Sequence, residues 1–341
     1  MGKHTEGQEL VHATPHFSIA FMGNISKQIA PVFVFLPALF AAVMLWAIPN
    51  ANGSGYSAVI VKSLDIPAYN DVAEGFKKQC RHYGISLMAT YDLKGDIEEG
   101  KRDIQIIQEL KPEPDIIITI GVLATTLARK HISNIPLLFC AVINHELLDL
   151  RGENIYGISS SVPFEEQFAV VNKMFQSQKK IGIIYDPAKT ERIVSELTSL
   201  GSMYNYKFIT RKVTSRNTIK PALDDIGKKI DVLWIVPDDT VISKESIGIF
   251  QDAVTKNRLP IFCTSSALVR TGALVSISPD YYSMGEQAAK MAQGLLHDPP
   301  QNSPRCMKPE KLTITINART AEMLKVDISQ FLSLPGVVIY K

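Results

Sequence analysis

From Ser57 onward, short runs of consecutive apolar residues alternate with longer stretches in which apolar residues recur every three or four positions. The first pattern reads as β-strand buried on both faces, the second as amphipathic helix. Ala58–Ser63 is a β-branched run, and Tyr69–Tyr83 sets Val72, Phe76, Cys80 and Tyr83 on one helical stripe. Ile85–Tyr91 predicts a second strand and Ile97–Leu110 a second helix, through Ile97, Ile104, Ile107 and Leu110. Asp115–Ile120 and Pro136–Cys140 are continuously apolar apart from their ends and Thr119. The pattern then restarts. After Gly157–Ser161, a helix from Pro163 aligns Phe164, Phe168, Val171 and Phe175, with the proline suited to the first turn. Lys180–Tyr185, Phe208–Val213, Asp231–Val236, Pro260–Cys263 and Ala273–Ile277 predict strands, Thr190–Tyr204 and Met284–Leu296 helices. A Pro-rich link, Asp298–Pro309, precedes a last strand at Leu312–Ile316.

Alternation at this spacing predicts an α/β fold with parallel, doubly wound sheets. Two successive runs of similar size predict two Rossmann-like lobes with a cleft between them. The strand-like runs end in polar loops at Thr119–Thr126, Ala141–Glu146, Ser159–Pro163, Tyr185–Thr190, Pro237–Val241, Thr264–Ala267 and Ser278–Ser283. Ligands of open α/β sheets bind at the carboxyl ends of strands, so these loops are the expected site. They carry hydroxyls, amides and carboxylates, without a nucleophile–base pair or a metal-ligating cluster. That composition suits gripping a small molecule rather than transforming it.

The chain is long enough, at 341 residues, for two cores. Its 36 Lys+Arg against 34 Asp+Glu leave no basic stripe, which argues against nucleic-acid binding. Ile29–Ile48 is an uncharged apolar run of about twenty residues, long enough to span a bilayer. Lys27 precedes it and the small residues Ala51–Gly55 follow. Residues 1–28 are read as a leader and 29–53 as either a cleaved signal peptide or a retained N-terminal anchor. Met22 offers an alternative start to Met1, because Glu6 and Glu9 offset Lys3 in the first segment. Under either reading the remainder lies in the periplasm or otherwise outside the cytoplasmic membrane. Cys80, Cys140, Cys263 and Cys306 form no CxxC or close pair, and no spacing assigns a disulfide.

The ordered runs Tyr69–Phe76 (with Glu74-Gly-Phe76), Asp115–Thr125 (with Gly121, Ala124 and Thr125), Phe139–Asn144 and Asn154–Ile158 carry a resemblance. Ile183–Pro187, Trp234–Asp238, Ser278–Tyr282 and Ile316–Ala321 continue it. Together they resemble the substrate-binding components of ABC transporters, in the group that includes tryptophan- and tyrosine-type binders, across Ser57–Ile328. The resemblance implies a type I periplasmic-binding-protein fold that closes by a hinge on its ligand, and a membrane permease as partner. It also implies lobes formed by 57–158 plus 278–300 and by 159–277 plus 308–341. His145 and Glu146 depart from it, where a proline is expected soon after Asn144.

Candidate contacts follow from residue chemistry. Ser63, Tyr69, Gly121, Ala124 and Thr125 lie at strand-to-helix turns, where free N–H groups suit a carboxylate. Asn144 offers an amide at a strand end, and one of Ser159, Ser160 and Ser161 is expected to cap the following helix, leaving Ser160 for the cleft. Asp186, Asp238 and Asp239 are candidates for a ligand ammonium, with helix capping as the alternative, and at least one of them is expected to face the ligand. Ser265, Asp280 and Tyr281 complete the set, the tyrosine for stacking. Neither a glycine-rich dinucleotide turn nor Gly-x-Ser-x-Gly occurs where an enzyme would need it. The expectation is a non-enzymatic, monomeric binder of an amino-acid-like solute, with no cofactor, metal or nucleic acid. A ligand-sensing module that signals to a membrane partner is the alternative.

Overall fold

The computed structural model describes residues 55–150, 152–176, 180–297 and 305–341. The apolar run at 29–48, and with it the choices between signal and anchor and between Met1 and Met22, lies outside them, as does most of the Pro-rich link. Residues from Ser54 to Lys341 form one compact unit. No helix among the described residues is long and apolar enough to cross a membrane.

The unit opens with β1 (Ser57–Lys62), α1 (Pro67–His82), β2 (Ser86–Asp92), α2 (Ile97–Glu109), β3 (Ile116–Ile120) and α3 (Val122–His131). Next come β4 (Leu137–Val142), a 3-10 turn (His145–Leu147) and β5 (Ile155–Ser159). The second run holds α4 (Phe164–Met174), β6 (Lys180–Tyr185), α5 (Pro187–Ser202), β7 (Lys207–Lys212), α6 (Ile219–Ile226) and β8 (Val232–Ile235). It continues through α7 (Lys244–Thr255), β9 (Ile261–Cys263), α8 (Ser266–Arg270) and β10 (Val275–Pro279). The chain ends with α9 (Tyr281–His297), β11 (Cys306–Met307), β12 (Leu312–Asn317), α10 (Ala318–Leu324) and β13 (Val337–Tyr340).

Two sheets result, with orders β11-β5-β4-β3-β1-β2 and β13-β12-β10-β9-β8-β6-β7. All ladders are parallel except β10–β12. The continuous apolar runs are explained by burial on both faces. In β3, Ile116, Ile118 and Ile120 face a cluster shared with α1 and α9, while Ile117 faces one shared with α2 and α3. In β8, Val232 and Trp234 pack one way, Leu233 and Ile235 the other. Trp234 is 1% exposed, edge-on to Phe262 and Phe168 at ring separations of 4.6 and 5.3 Å.

The chain passes between the sheets after β5, between β10 and α9, and between β11 and β12. Helix α9 leaves the second sheet and packs on α1 by close backbone approach. A Cβ on Gly75 would lie 2.1 Å from the Tyr282 carbonyl oxygen, and one on Gly285 2.1 Å from that of Val72. Met284, Ala288, Ala289 and Ala292 then share a core with Val72, Ala73 and Phe76.

Four helix starts differ from expectation. Helix α1 begins at Pro67 rather than Tyr69, and α9 at Tyr281 rather than Met284. Helix α5 begins at Pro187 rather than Thr190, because Asp186 caps it by accepting from the Ala188 N–H at 3.0 Å. The α4 start is capped by no serine: Pro163 stands at the cap, and Glu165 and Glu166 place negative charge at the positive end of the helix. Ser159 Oγ instead accepts from the Ser161 N–H at 3.0 Å.

All four cysteines are free thiols. Burial pushes Cys80 and Cys140 up, Cys263 to about 12 and Cys306 to about 11. The nucleophile is the thiolate, so the native protein at neutral pH should react slowly with a disulfide reagent and release four equivalents only when denatured. Rapid stoichiometric reaction of the native protein would contradict this burial.

Candidate ligand-binding site

Because β1 and β3 are neighbours, the turns that follow them meet although about sixty residues of sequence separate them. Ser63 ties them together: its Oγ donates to the Ile120 carbonyl at 2.9 Å and accepts from the Ala124 N–H at 3.0 Å. Gly121 has φ +89° and ψ 170°, a conformation open essentially to glycine alone. A Cβ there would lie 2.6 Å from both Cζ and Oη of Tyr69 and 2.7 Å from Ser63 Oγ. The tyrosine therefore rests its ring edge directly on the turn that opens α3. Ala124 is fully buried and its N–H is occupied by Ser63, so the first-turn N–H groups of Val122 and Leu123 are those left without a partner among the described residues. Thr125 is also fully buried; its hydroxyl bonds the Gly121 carbonyl at 2.8 Å and Thr119 Oγ1 at 2.9 Å, which braces the turn.

Tyr281 comes in from the first turn of α9. Burial pushes its phenol up to about 12, with the neighbouring Tyr69 phenol adding to the effect, and burial raises Tyr69 too. Neither hydroxyl has a hydrogen-bond partner among the described residues. Asp280 caps α9 by accepting from the Ser283 N–H at 2.9 Å. The sequence reading missed Asp71, two positions after Tyr69. Burial and then the Asp280 charge raise its carboxyl, while the Arg270 charge lowers it, so the acid on α1 feels both the carboxylate that caps α9 and the guanidinium at the end of α8. Their like charges lie on different elements, and only the α1–α9 packing reveals them. Asn144 sits at φ 51° after β4, and its side-chain amide makes no hydrogen bond among the described residues.

On the second sheet the aspartates are already engaged. Asp238, 2% exposed, accepts from the Asp186 N–H and Thr190 Oγ1 at 2.7 Å each, from Thr240 N–H at 2.9 Å and from Val241 N–H at 3.3 Å. Asp186 accepts from Ala188 N–H and, at 2.7 Å, from Thr240 Oγ1. Asp239 is exposed and pairs with Lys189. Ser160 Oγ, in contrast, is buried without a partner, and the Ser265 hydroxyl also makes no bond among the described residues. The structure thus brings Ser63, Tyr69, Gly121 and Tyr281 together, and joins Asp186 to Asp238 as a closed network.

A recess of about 710 Å³ lined by Lys180, Lys207, Phe208, Ile209, Lys228 and Lys229 opens at the start of β6 and β7. It lies at the amino ends of strands, away from the edge where α/β sheets bind ligands, so the carboxyl-edge cluster is the candidate site. No group of three or more His, Cys, Asp or Glu among the described residues could hold a metal ion.

This architecture of two parallel-dominated sheets with ligand-side loops is that of type I periplasmic binding proteins. The sequence profile of the ABC transporter substrate binding protein family matches residues 58–336, and the chain belongs to that family. Its members serve a membrane transporter as the component that binds a small-molecule solute outside the cytoplasm. A tyrosine-binding protein of Clostridioides difficile is 23% identical over 246 residues, covering 68% of this chain and 70% of that one. The ligand-free, open structure of a substrate binding protein with adhesive properties, from Clostridium difficile, superposes with a TM-score of 0.72 at 20% identity, over 84% of this chain and 99% of that one. An ABC domain in complex with L-Trp, from Streptococcus pneumoniae, gives 0.65 at 18% identity, over 84% and 100%.

Proposed function

We propose that this chain delivers an aromatic amino acid or a similar zwitterion to an ABC importer, held between two lobes built on the two sheets. The observation that carries the reading is the convergence of Ser63, Tyr69, Gly121 and Tyr281, with two unpartnered phenols beside the open first turn of α3. That turn suits the carboxylate. Asp71 and Asp280 suit the ammonium, since a cation between them offsets their repulsion. The tyrosine rings suit a flat side chain. Ser160 and Asn144 complete the contacts, Ser160 because a ligand would satisfy its orphaned hydroxyl.

With Asp186 and Asp238 serving each other's loops, their contribution is to hold the second lobe's edge in shape. The chain acts as a monomer and without catalysis, and the apolar segment at 29–48 exports it, as a cleaved signal or as an anchor. Binding shifts the lobes to a closed state through differential affinity for that state.

A thermal-shift panel of amino acids, purines, sugars and short peptides tests this. An amino acid at 100 times its dissociation constant should stabilise the fold by about 2.7 kcal/mol. L-tyrosine and L-tryptophan should give the largest shifts. A sugar or purine shifting the midpoint while every amino acid leaves it unchanged would overturn the ligand class.

A further inference from the structure

His145 is the side chain that the ligand site leaves unexplained, and it stands at the junction of the sheets. Its imidazole, 17% exposed, lies 5.7 Å from the Phe139 ring of β4. Nε2 is 3.3 Å from Cys306 Sγ on β11, and Nδ1 is 3.4 Å from Ser159 Oγ at the end of β5. Those are the last strands of the first sheet before the two passages that lead from it to the second. One ring therefore touches two hinge strands at once. Glu146, the next residue, places Oε2 3.5 Å from His145 Nδ1 and 3.7 Å from a guanidinium nitrogen of Arg192 on α5, which belongs to the other sheet.

We propose that His145 is a proton-sensitive pin of the hinge: protonating it reverses and weakens its hydrogen bond with Cys306 and draws Glu146 away from Arg192, releasing the lobe arrangement seen here. The inference rests on the two-sheet architecture and not on the identity of the ligand. The Cys306 thiol, pushed up to about 11, keeps its proton and donates to Nε2. That leaves the imidazole proton on Nδ1, facing Ser159 and Glu146. A second proton turns Nε2 into a donor, so the thiol must rotate its hydrogen off the ring and accept through sulfur, a weak acceptor. The new charge also neutralises Glu146, and Arg192 then faces a neutral pair. The groups that bear on the ring among the described residues are Glu146 on its own turn, Ser159 on β5, Cys306 on β11, and Arg192 through Glu146. Burial, and then the neighbouring Cys306 thiol, raise the Cys140 thiol of β4, which therefore stays protonated. An exposed ion pair is weak, yet a two-state equilibrium responds to differences of that size.

The test is hydrogen–deuterium exchange on the full chain at about pH 8 and about pH 5.5, the interval in which histidine changes charge, corrected for intrinsic exchange. Protection of segments 155–163 and 305–311 should fall about fivefold on acidification, the factor that an ion pair at the top of its usual range supplies. His145→Gln should abolish the dependence, and Arg192→Gln, an exposed change, should give low protection already at pH 8. Protection that ignores pH in the natural chain, or the same fall in His145→Gln, would overturn the proposal. So would full protection in Arg192→Gln at pH 8 with its pH response intact.

Discussion

Asp238→Ala should cost the protein about 3–5 kcal/mol of folding stability, the cost of leaving several buried donors without an acceptor. Asp238 is 2% exposed and accepts from two backbone N–H groups of its own loop, from the Asp186 N–H and from the Thr190 hydroxyl. Thr190 is fully buried and Asp186 6% exposed, so water does not replace the lost carboxylate. Asp239→Ala, one position on, removes a side chain that is 82% exposed and pairs with one lysine, and should change stability by about 0.5 kcal/mol or less. Urea unfolding followed by Trp234 fluorescence reads the difference, since that ring is buried in the second sheet's core. Equal midpoints for the two variants would show that the network carries no load. If Asp238 instead met the ligand ammonium, Asp238→Ala would lose affinity with its stability little changed.

The alternating architecture is legible in the sequence because parallel strands are covered on both faces. β3, β4 and β8 have every residue buried and therefore read as unbroken apolar runs. The α5 start is less legible, because Asp186 and Pro187 mark a loop as well as they mark a cap and first turn. The same ambiguity governs the aspartates of the site. A carboxylate that caps a helix and one that grips an ammonium occupy the same loops, and only the count of donors around Asp186 and Asp238 distinguishes them. Ser63, Tyr69 and Gly121 were visible individually as small or polar residues at strand ends. Their meeting was not, since it depends on β1 lying beside β3. Asp71 needs the glycine-mediated approach of α1 and α9 to reach Asp280. The contact of His145 with Cys306 joins residues 161 positions apart, beyond any local pattern.

Gly121→Val should weaken amino-acid binding at least about tenfold, a loss of about 1.4 kcal/mol or more, and lower the unfolding midpoint as well. The backbone at φ +89° and ψ 170° strains a β-branched residue by about 1–3 kcal/mol. More specifically, the new Cβ would occupy space 2.6 Å from Tyr69 Oη and 2.7 Å from Ser63 Oγ. Tyr69 can swing away, whereas Ser63 is fixed by its two hydrogen bonds to the same turn. Displacement of the tyrosine is therefore the cheaper relief, and it removes a phenol from the site. Tyr69→Phe keeps the ring over the glycine without the hydroxyl, so it should lose affinity with little change in midpoint. Gly248→Ala is the matched control: a Cβ there meets nothing within 4 Å, and the helix should gain about 0.5–1 kcal/mol. Calorimetric titration with the amino acid that shifts the midpoint most in the thermal panel checks the two affinity losses, and thermal unfolding of the free proteins checks the midpoints of all three. Undiminished binding by Gly121→Val would mean that the ligand does not approach the α3 turn, and with it the first-sheet half of the site would fall.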